Sequence, residues 1–146
     1  TDEEYQTHFS LWAMMNSPLM IGCDVRNLTE ETKKILLNKD LIAINQDTEC
    51  RAPFRVNCLS NSPDVFILVK FLSNGDVAVG MFNMGDVPAM AVVDFWDLGL
   101  TVSSGMALEF YDCIDHENLG KKRERFSVKV PAHGSKVYRC KVVPRK

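Results

Sequence analysis

The chain has 146 residues, of which 46% are hydrophobic and 25% charged, and it carries a net charge of −2 with a pI near 5.9. That composition fits an ordinary globular chain with a sizeable core, and it offers neither the broad basic footprint of a nucleic-acid binder nor a strong call for an acidic partner. No apolar run is long enough to cross a bilayer, because Leu11–Met15 and Leu19–Gly22 are split by Asn16-Ser17-Pro18.

The first 47 residues read as helix, buried strand, helix. Thr1 or Asp2 can cap a helix whose apolar side carries Tyr5, Phe9, Trp12 and Ala13 or Met15 at near-helical spacing. Ser17-Pro18 is expected to end it, since proline disfavours helical geometry in the residue before it. Leu19-Met20-Ile21-Gly22 is wholly apolar, as in a parallel strand covered on both faces. Thr29 is the next N-cap, with Glu30 and Glu31 at the positive end of the dipole and Lys33 and Lys34 further along. Ile35, Leu36 and Leu37 are expected to be buried, Asn38 to stop this helix, and Asp40–Asn45 to form a further short turn or helix.

From Val65 the period changes to two. Val65–Leu72 and Val77–Phe82 flank Ser73-Asn74-Gly75-Asp76, a hairpin signature in which Asn-Gly supplies positive φ angles. Asn83–Asp86 turns into Met90–Asp94. Further strands are predicted over 107–111, 125–130 and 136–143, with Pro131-Ala132-His133-Gly134 between the last two. Short strands at turn-marked spacing predict an antiparallel sandwich. Phe66, Phe71 and Phe82 alternate like core residues rather than lining up as an exposed binding face. A polar stretch broken by Pro53 and Pro63 separates the halves.

The five cysteines, Cys23, Cys50, Cys58, Cys113 and Cys140, do not form a disulfide framework. Reduced thiols in a cytoplasmic protein are the simplest reading, with one or two disulfides in a secreted protein as the alternative. The opening Thr1-Asp2-Glu3-Glu4 has no methionine and no signal-peptide core, which fits removal of something upstream. Asn27-Leu28-Thr29 is a sequon of a kind that arises often by chance.

The order of motifs is more specific than any period. Thr7-His8-Phe9-Ser10-Leu11-Trp12-Ala13-Met14-Met15, Ser17-Pro18-Leu19-Met20-Ile21-Gly22, Asp24-Val25-Arg26-Asn27 and Leu41-Ile42-Ala43-Ile44-Asn45-Gln46-Asp47 succeed one another. This succession resembles the end of the (β/α)8 barrel in α-galactosidases (melibiases) of glycoside hydrolase family 27. Val79–Asn83, Asp94–Gly99 and Val130–Gly134 are similar to that family's C-terminal β-domain. The resemblance implies an α/β piece formed by the last βα units of a TIM barrel over residues 1–50, a linker over 51–63, and an all-β antiparallel sandwich over 64–146. The family's common Asn-Gln-Asp-Pro departs here to Asn-Gln-Asp-Thr48.

The same resemblance implies a retaining glycosidase acting on terminal α-galactosides, with water as second substrate and no cofactor. Such an enzyme needs two carboxyl groups roughly 5–5.5 Å apart, one attacking the anomeric carbon and the other serving as acid and then base. The family's Lys-x-Asp nucleophile segment, its acid/base aspartate and its Trp-Asn-Asp-Pro-Asp segment have no counterpart in residues 1–146. No catalytic residue is therefore expected in this chain. Asp24, just beyond a barrel strand, is expected to hold loop amides, with Cys23 and Asp24 together at the rim of the sugar site. A barrel strand at 19–22 without neighbours would leave residues 1–47 loosely held, or would be covered by a second copy as a homo-oligomer.

Other features read more plainly. Asp112-Cys113-Ile114-Asp115-His116 has metal-like spacing but lacks a second paired motif, so a polar loop and no metal are expected. Lys121–Arg125 reads as a solvated hairpin tip without nucleic-acid contact. His8 is expected as a hydrogen-bonded core or surface residue and His133 as a turn residue. Trp12 is expected in the core; Trp96 is the better candidate for an exposed sugar platform, although core packing is favoured for it too. A carbohydrate-binding or interaction module acting alone is the alternative function.

Overall fold

The computed structural model describes all of residues 1–146, as a helical layer followed by two sheets. Helix α1 (Asp2–Met14) starts with a capping box: Thr1 accepts from the Glu4 amide while Glu4 reaches back to the Thr1 nitrogen. Its buried face differs from the expected one. Thr7, Ser10, Ala13 and Met14 are buried, whereas Tyr5 and Trp12 are exposed. The reason is close approach to a sheet. Small side chains let the helix settle, with Thr7 Oγ1 donating to the His133 carbonyl at 2.8 Å and the Ser10 and Ser135 hydroxyls 3.3 Å apart. The helix also stops earlier than Ser17-Pro18, with Asn16 in the left-handed region at φ 56°.

Residues 19–22 are not a strand. Met20 is 86% exposed, and the one backbone hydrogen bond here runs from the Met20 amide to the Pro18 carbonyl. A parallel strand exists only through its neighbours' ladders, and this chain supplies none. Helix α2 (Glu30–Leu36) starts at Thr29 as expected, but Leu37 is exposed. Asn38, expected as a stop, is the N-cap of α3 (Lys39–Asn45), and its amide also donates to the Cys113 carbonyl at 2.8 Å.

The β half holds eight strands: β1 (Phe54–Val56), β2 (Val65–Phe71), β3 (Val77–Asn83), β4 (Ala89–Asp94), β5 (Met106–Asp112), β6 (Glu117–Lys122), β7 (Arg125–Val130) and β8 (Ser135–Pro144). The larger sheet runs β1-β2-β3-β8-β5-β6, and β4 and β7 form a second, two-stranded sheet. All pairings are antiparallel. In the β2–β3 hairpin only Gly75 takes positive φ; Asn74 instead accepts from the Asp76 amide at 3.0 Å. Two strands are absent from the sequence reading. β1 lies inside the stretch read as linker and is only three residues long; Glu117-Asn118-Leu119-Gly120-Lys121-Lys122 (β6) shows no apolar alternation and pairs with β5 across a bulge.

Strand β3 is buried along its whole length because the larger sheet is covered on both sides. One face meets β4 and β7 through Ile67, Val69, Val79, Met81, Ala91, Val93 and a cluster of Phe95, Phe110, Phe126 and Tyr138. The other carries Ala78, Phe82 and Val137 against Ala13, Met14, Leu41 and Ile44 of the helices. Gly80 marks the closeness of this second contact, since a Cβ there would lie 3.2 Å from Met14 Cγ of α1, as well as 2.7 Å from the neighbouring Phe82 ring. Phe82 occupies the expected core position, but Phe66 is half-buried against it and Phe71 sits partly exposed beside Phe54.

Lys70 is fully buried between sheet and helices. Its ammonium donates to the Ile44 carbonyl at the end of α3 and to Asn16 Oδ1 just past α1. Burial lowers its pKa, and nearby Asp47 opposes that shift. Replacing Lys70 with Met would leave the Ile44 carbonyl without a partner, and we expect a loss of about 1–3 kcal/mol in urea unfolding. All five cysteines are free thiols, and burial raises Cys113 from near 9 to about 12 and Cys140 well above its ordinary value. A thiol that stays protonated when folded but ionises when unfolded stabilises the protein fully below pH 9 and loses that contribution as pH rises toward 12. The unfolding temperature should therefore fall above pH 9, and Cys113→Ala should flatten the decline.

Candidate functional site

An apolar groove of about 930 Å³ lies between α1, the extended segment 19–29 and the start of α2. Helix α1 contributes His8 together with Tyr5, Phe9 and Trp12, the three that sequence periodicity assigned to the core. His8 is exposed and meets Trp12 edge-on at 5.2 Å between ring centres. Leu19, Met20 and Ile21 line the opposite side.

Cys23 and Asp24 sit together at the edge of the groove, and both are exposed. Asp24 caps the short 3₁₀ turn Val25–Asn27 by accepting from the Arg26 amide at 3.1 Å. Its two oxygens also accept from Arg26 Nε at 2.9 Å and Arg26 Nη2 at 3.0 Å, and Asn27 Nδ2 adds a contact of 3.3 Å. The Arg26 guanidinium, followed by the Arg26 amide, holds the carboxyl below the usual aspartate range. Asp24 is thus an ionised loop organiser. It is also the one carboxylate among the groove's lining residues, so no second carboxyl stands across the groove from it.

The other singled-out residues are scattered through the fold. Cys113 is buried in the core beneath the helices, while His116 turns outward to place Nδ1 2.8 Å from Asp40 Oδ2. Asp115 accepts from Lys136 at 2.6 Å. His133 has φ 53° and its Nε2 lies 2.9 Å from Asp86. Lys121 and Lys122 belong to β6, and Arg125 opens β7, so this run is not merely a hairpin tip. Trp96, expected in the core, is 69% exposed. Phe95 takes the buried position beside it, and the 3₁₀ turn capped by Asp94 sends Trp96 outward. The sequence reading did not single out Lys70, although a lysine inside Val65-Phe66-Ile67-Leu68-Val69-Lys70-Phe71, in step with Phe66 and Leu68, was its visible signal.

A family model described as the α-galactosidase C-terminal β-sandwich domain matches residues 62–140. The chain belongs to the α-galactosidase family. A second model of that family, described as α-galactosidase A, matches residues 1–47. Among curated relatives, α-galactosidase 3 of Arabidopsis thaliana is 34% identical over 94% of this chain, and α-galactosidase A of Cellvibrio japonicus is 36% identical over 95%. Those alignments cover 31% and 35% of the relatives, so the chain spans about a third of their length. The crystal structure of α-galactosidase I from Mortierella vinacea superimposes with a TM-score of 0.85 at 30% identity, over 96% of this chain and 36% of that one. The resemblance drawn from the motifs is therefore that of an α-galactosidase C-terminal region, with a small helical start and an antiparallel sandwich.

Amide exchange should separate the two parts of this region. Amides of residues 19–22 should exchange as unprotected backbone, whereas those of 77–82, in the doubly covered strand, should be among the slowest. Protection in 19–22 equal to that of β3 in a demonstrated monomer would contradict the absence of a ladder.

Proposed function

We propose that the chain is the C-terminal part of a retaining α-galactosidase-type hydrolase that removes terminal α-galactosyl residues with water as second substrate and no cofactor. By itself the chain is non-catalytic. The observation that carries this reading is the solitary, fully engaged Asp24. Double displacement requires a free nucleophilic carboxylate and an acid/base partner roughly 5–5.5 Å away, and Asp24 has neither freedom nor partner. In the whole enzyme Cys23 and Asp24 would lie at the rim of the sugar site, with Asp24 fixing the loop. The sandwich would act as a support gripping the barrel's last helices through Ala13, Met14, Leu41 and Ile44 and through the buried Lys70.

The test is release of nitrophenol from nitrophenyl α-D-galactopyranoside by the purified chain of confirmed mass. No release above buffer is expected, and Asp24→Asn should change nothing. Turnover that disappears in Asp24→Asn would place a complete site within these 146 residues and overturn the reading.

A further inference from the structure

The larger sheet lies between the helices and the two-stranded sheet, so the outer face of β4 and β7 is the surface farthest from the helical layer. Alternation along these strands sends Ala91, Val93, Phe126 and Val130 inward. The outward positions pair across the strands as Met90 with Lys129, Val92 with Ser127, and Asp94 with Arg125. Trp96 follows two residues beyond Asp94, at the end of this row.

We propose that this face is a carbohydrate-binding site for neutral oligosaccharides, with the Trp96 indole as its stacking platform. An indole left 69% exposed in a chain that buries its neighbour Phe95 completely is a ring held ready for a partner. Its backbone is fixed in advance: the Trp96 amide donates to Asp94 Oδ1 at 3.0 Å, and Gly99 closes the turn at φ 77°. Fixing the backbone beneath the ring before binding removes part of the ordering cost.

The chemistry around the ring selects the occupant. Met90 and the half-buried Val92 are apolar neighbours on this face, but four of its six paired outward positions, Asp94, Ser127, Lys129 and Arg125, are polar or charged, whereas the core of a protein-docking face is depleted of charge. Charges of both signs are interspersed: Asp94 and Asp97 against Arg125 and Lys129. Arg125 Nη2 lies 3.5 Å from Asp94 Oδ2. A mixed row of this kind favours neither a polyanion nor a polycation. It offers donors and acceptors to hydroxyl groups beside one flat apolar ring, which matches a pyranose with its C–H face on the indole. From Met90 to Asp94 the row runs about 13 Å, room for a short oligosaccharide. Here the ligand is retained by binding alone, with no bond made or broken.

The chain's two tryptophans allow a clean test. In Trp12→Phe only Trp96 emits, and galactomannan should shift or quench that emission. In native affinity gels the unaltered chain and Trp12→Phe should be retarded by galactomannan, whereas Trp96→Ala should lose about tenfold or more in apparent affinity. Trp96 is exposed, so Trp96→Ala should keep the same unfolding midpoint, which separates lost binding from lost fold. Unchanged retardation of Trp96→Ala, or no retardation with unaltered Trp96 emission, would overturn the site. The α-galactosyl probe is chosen from the proposed function, but retardation and emission need no hydrolysis, so failure here is distinguishable from failure of that reading.

Discussion

The central strand β3 has no wet face, and the rest of the chain is arranged to cover it. Its odd-numbered side chains, Val77, Val79 and Met81, are closed over by β4, β7 and the phenylalanine cluster. Its even-numbered positions, Ala78, Gly80 and Phe82, can be buried only if a further layer is laid on the sheet, and helices α1 and α3 provide it. Removing the helices would expose a sheet face built for contact, and removing β4 and β7 would expose the other. The helical start and the sandwich therefore stand or fall as neighbours, although they read as separate pieces along the sequence.

Polar groups at this junction are few, and each is satisfied. Lys70 reaches from β2 to the end of α3, Asn38 binds the Cys113 carbonyl, and Asn45 donates to the Trp12 and Ser17 carbonyls. Buried polar groups without partners would cost more than these bonds contribute, so this set fixes where the helices may sit. His116 adds a contact to Asp40 from the β5–β6 turn, at the periphery where water weakens it.

On its other side α1 turns Tyr5, Phe9 and Trp12 to the groove, opposite an extended segment with almost no backbone bonding. That side has an apolar lining but the backbone hydrogen bonding of a loop. Chemistry at Asp24 is limited for the same reason. The Asp24 charge is engaged locally by Arg26, and the groove brings no second carboxylate within it.

The sequence by itself determined the motif order that places the chain in its family, the change of period near Val65, a first cap at Thr1 or Asp2, the cap at Thr29, and the longer strands of the sandwich. These are local or alternating signals and survive without knowledge of neighbours. Tertiary structure decided which face of α1 is buried, because small residues that permit close approach outweighed large apolar ones at helical spacing. It decided that 19–22 is not a strand, since parallel pairing comes only from partners elsewhere in a chain. It raised β1 and β6 to strands through the edges offered by β2 and β5, despite a brief or unpatterned sequence. It also buried Lys70 and exposed Trp96, which no count of hydrophobicity could assign: the lysine found two carbonyl oxygens in the interior, and Phe95 had already filled the tryptophan's place in the core.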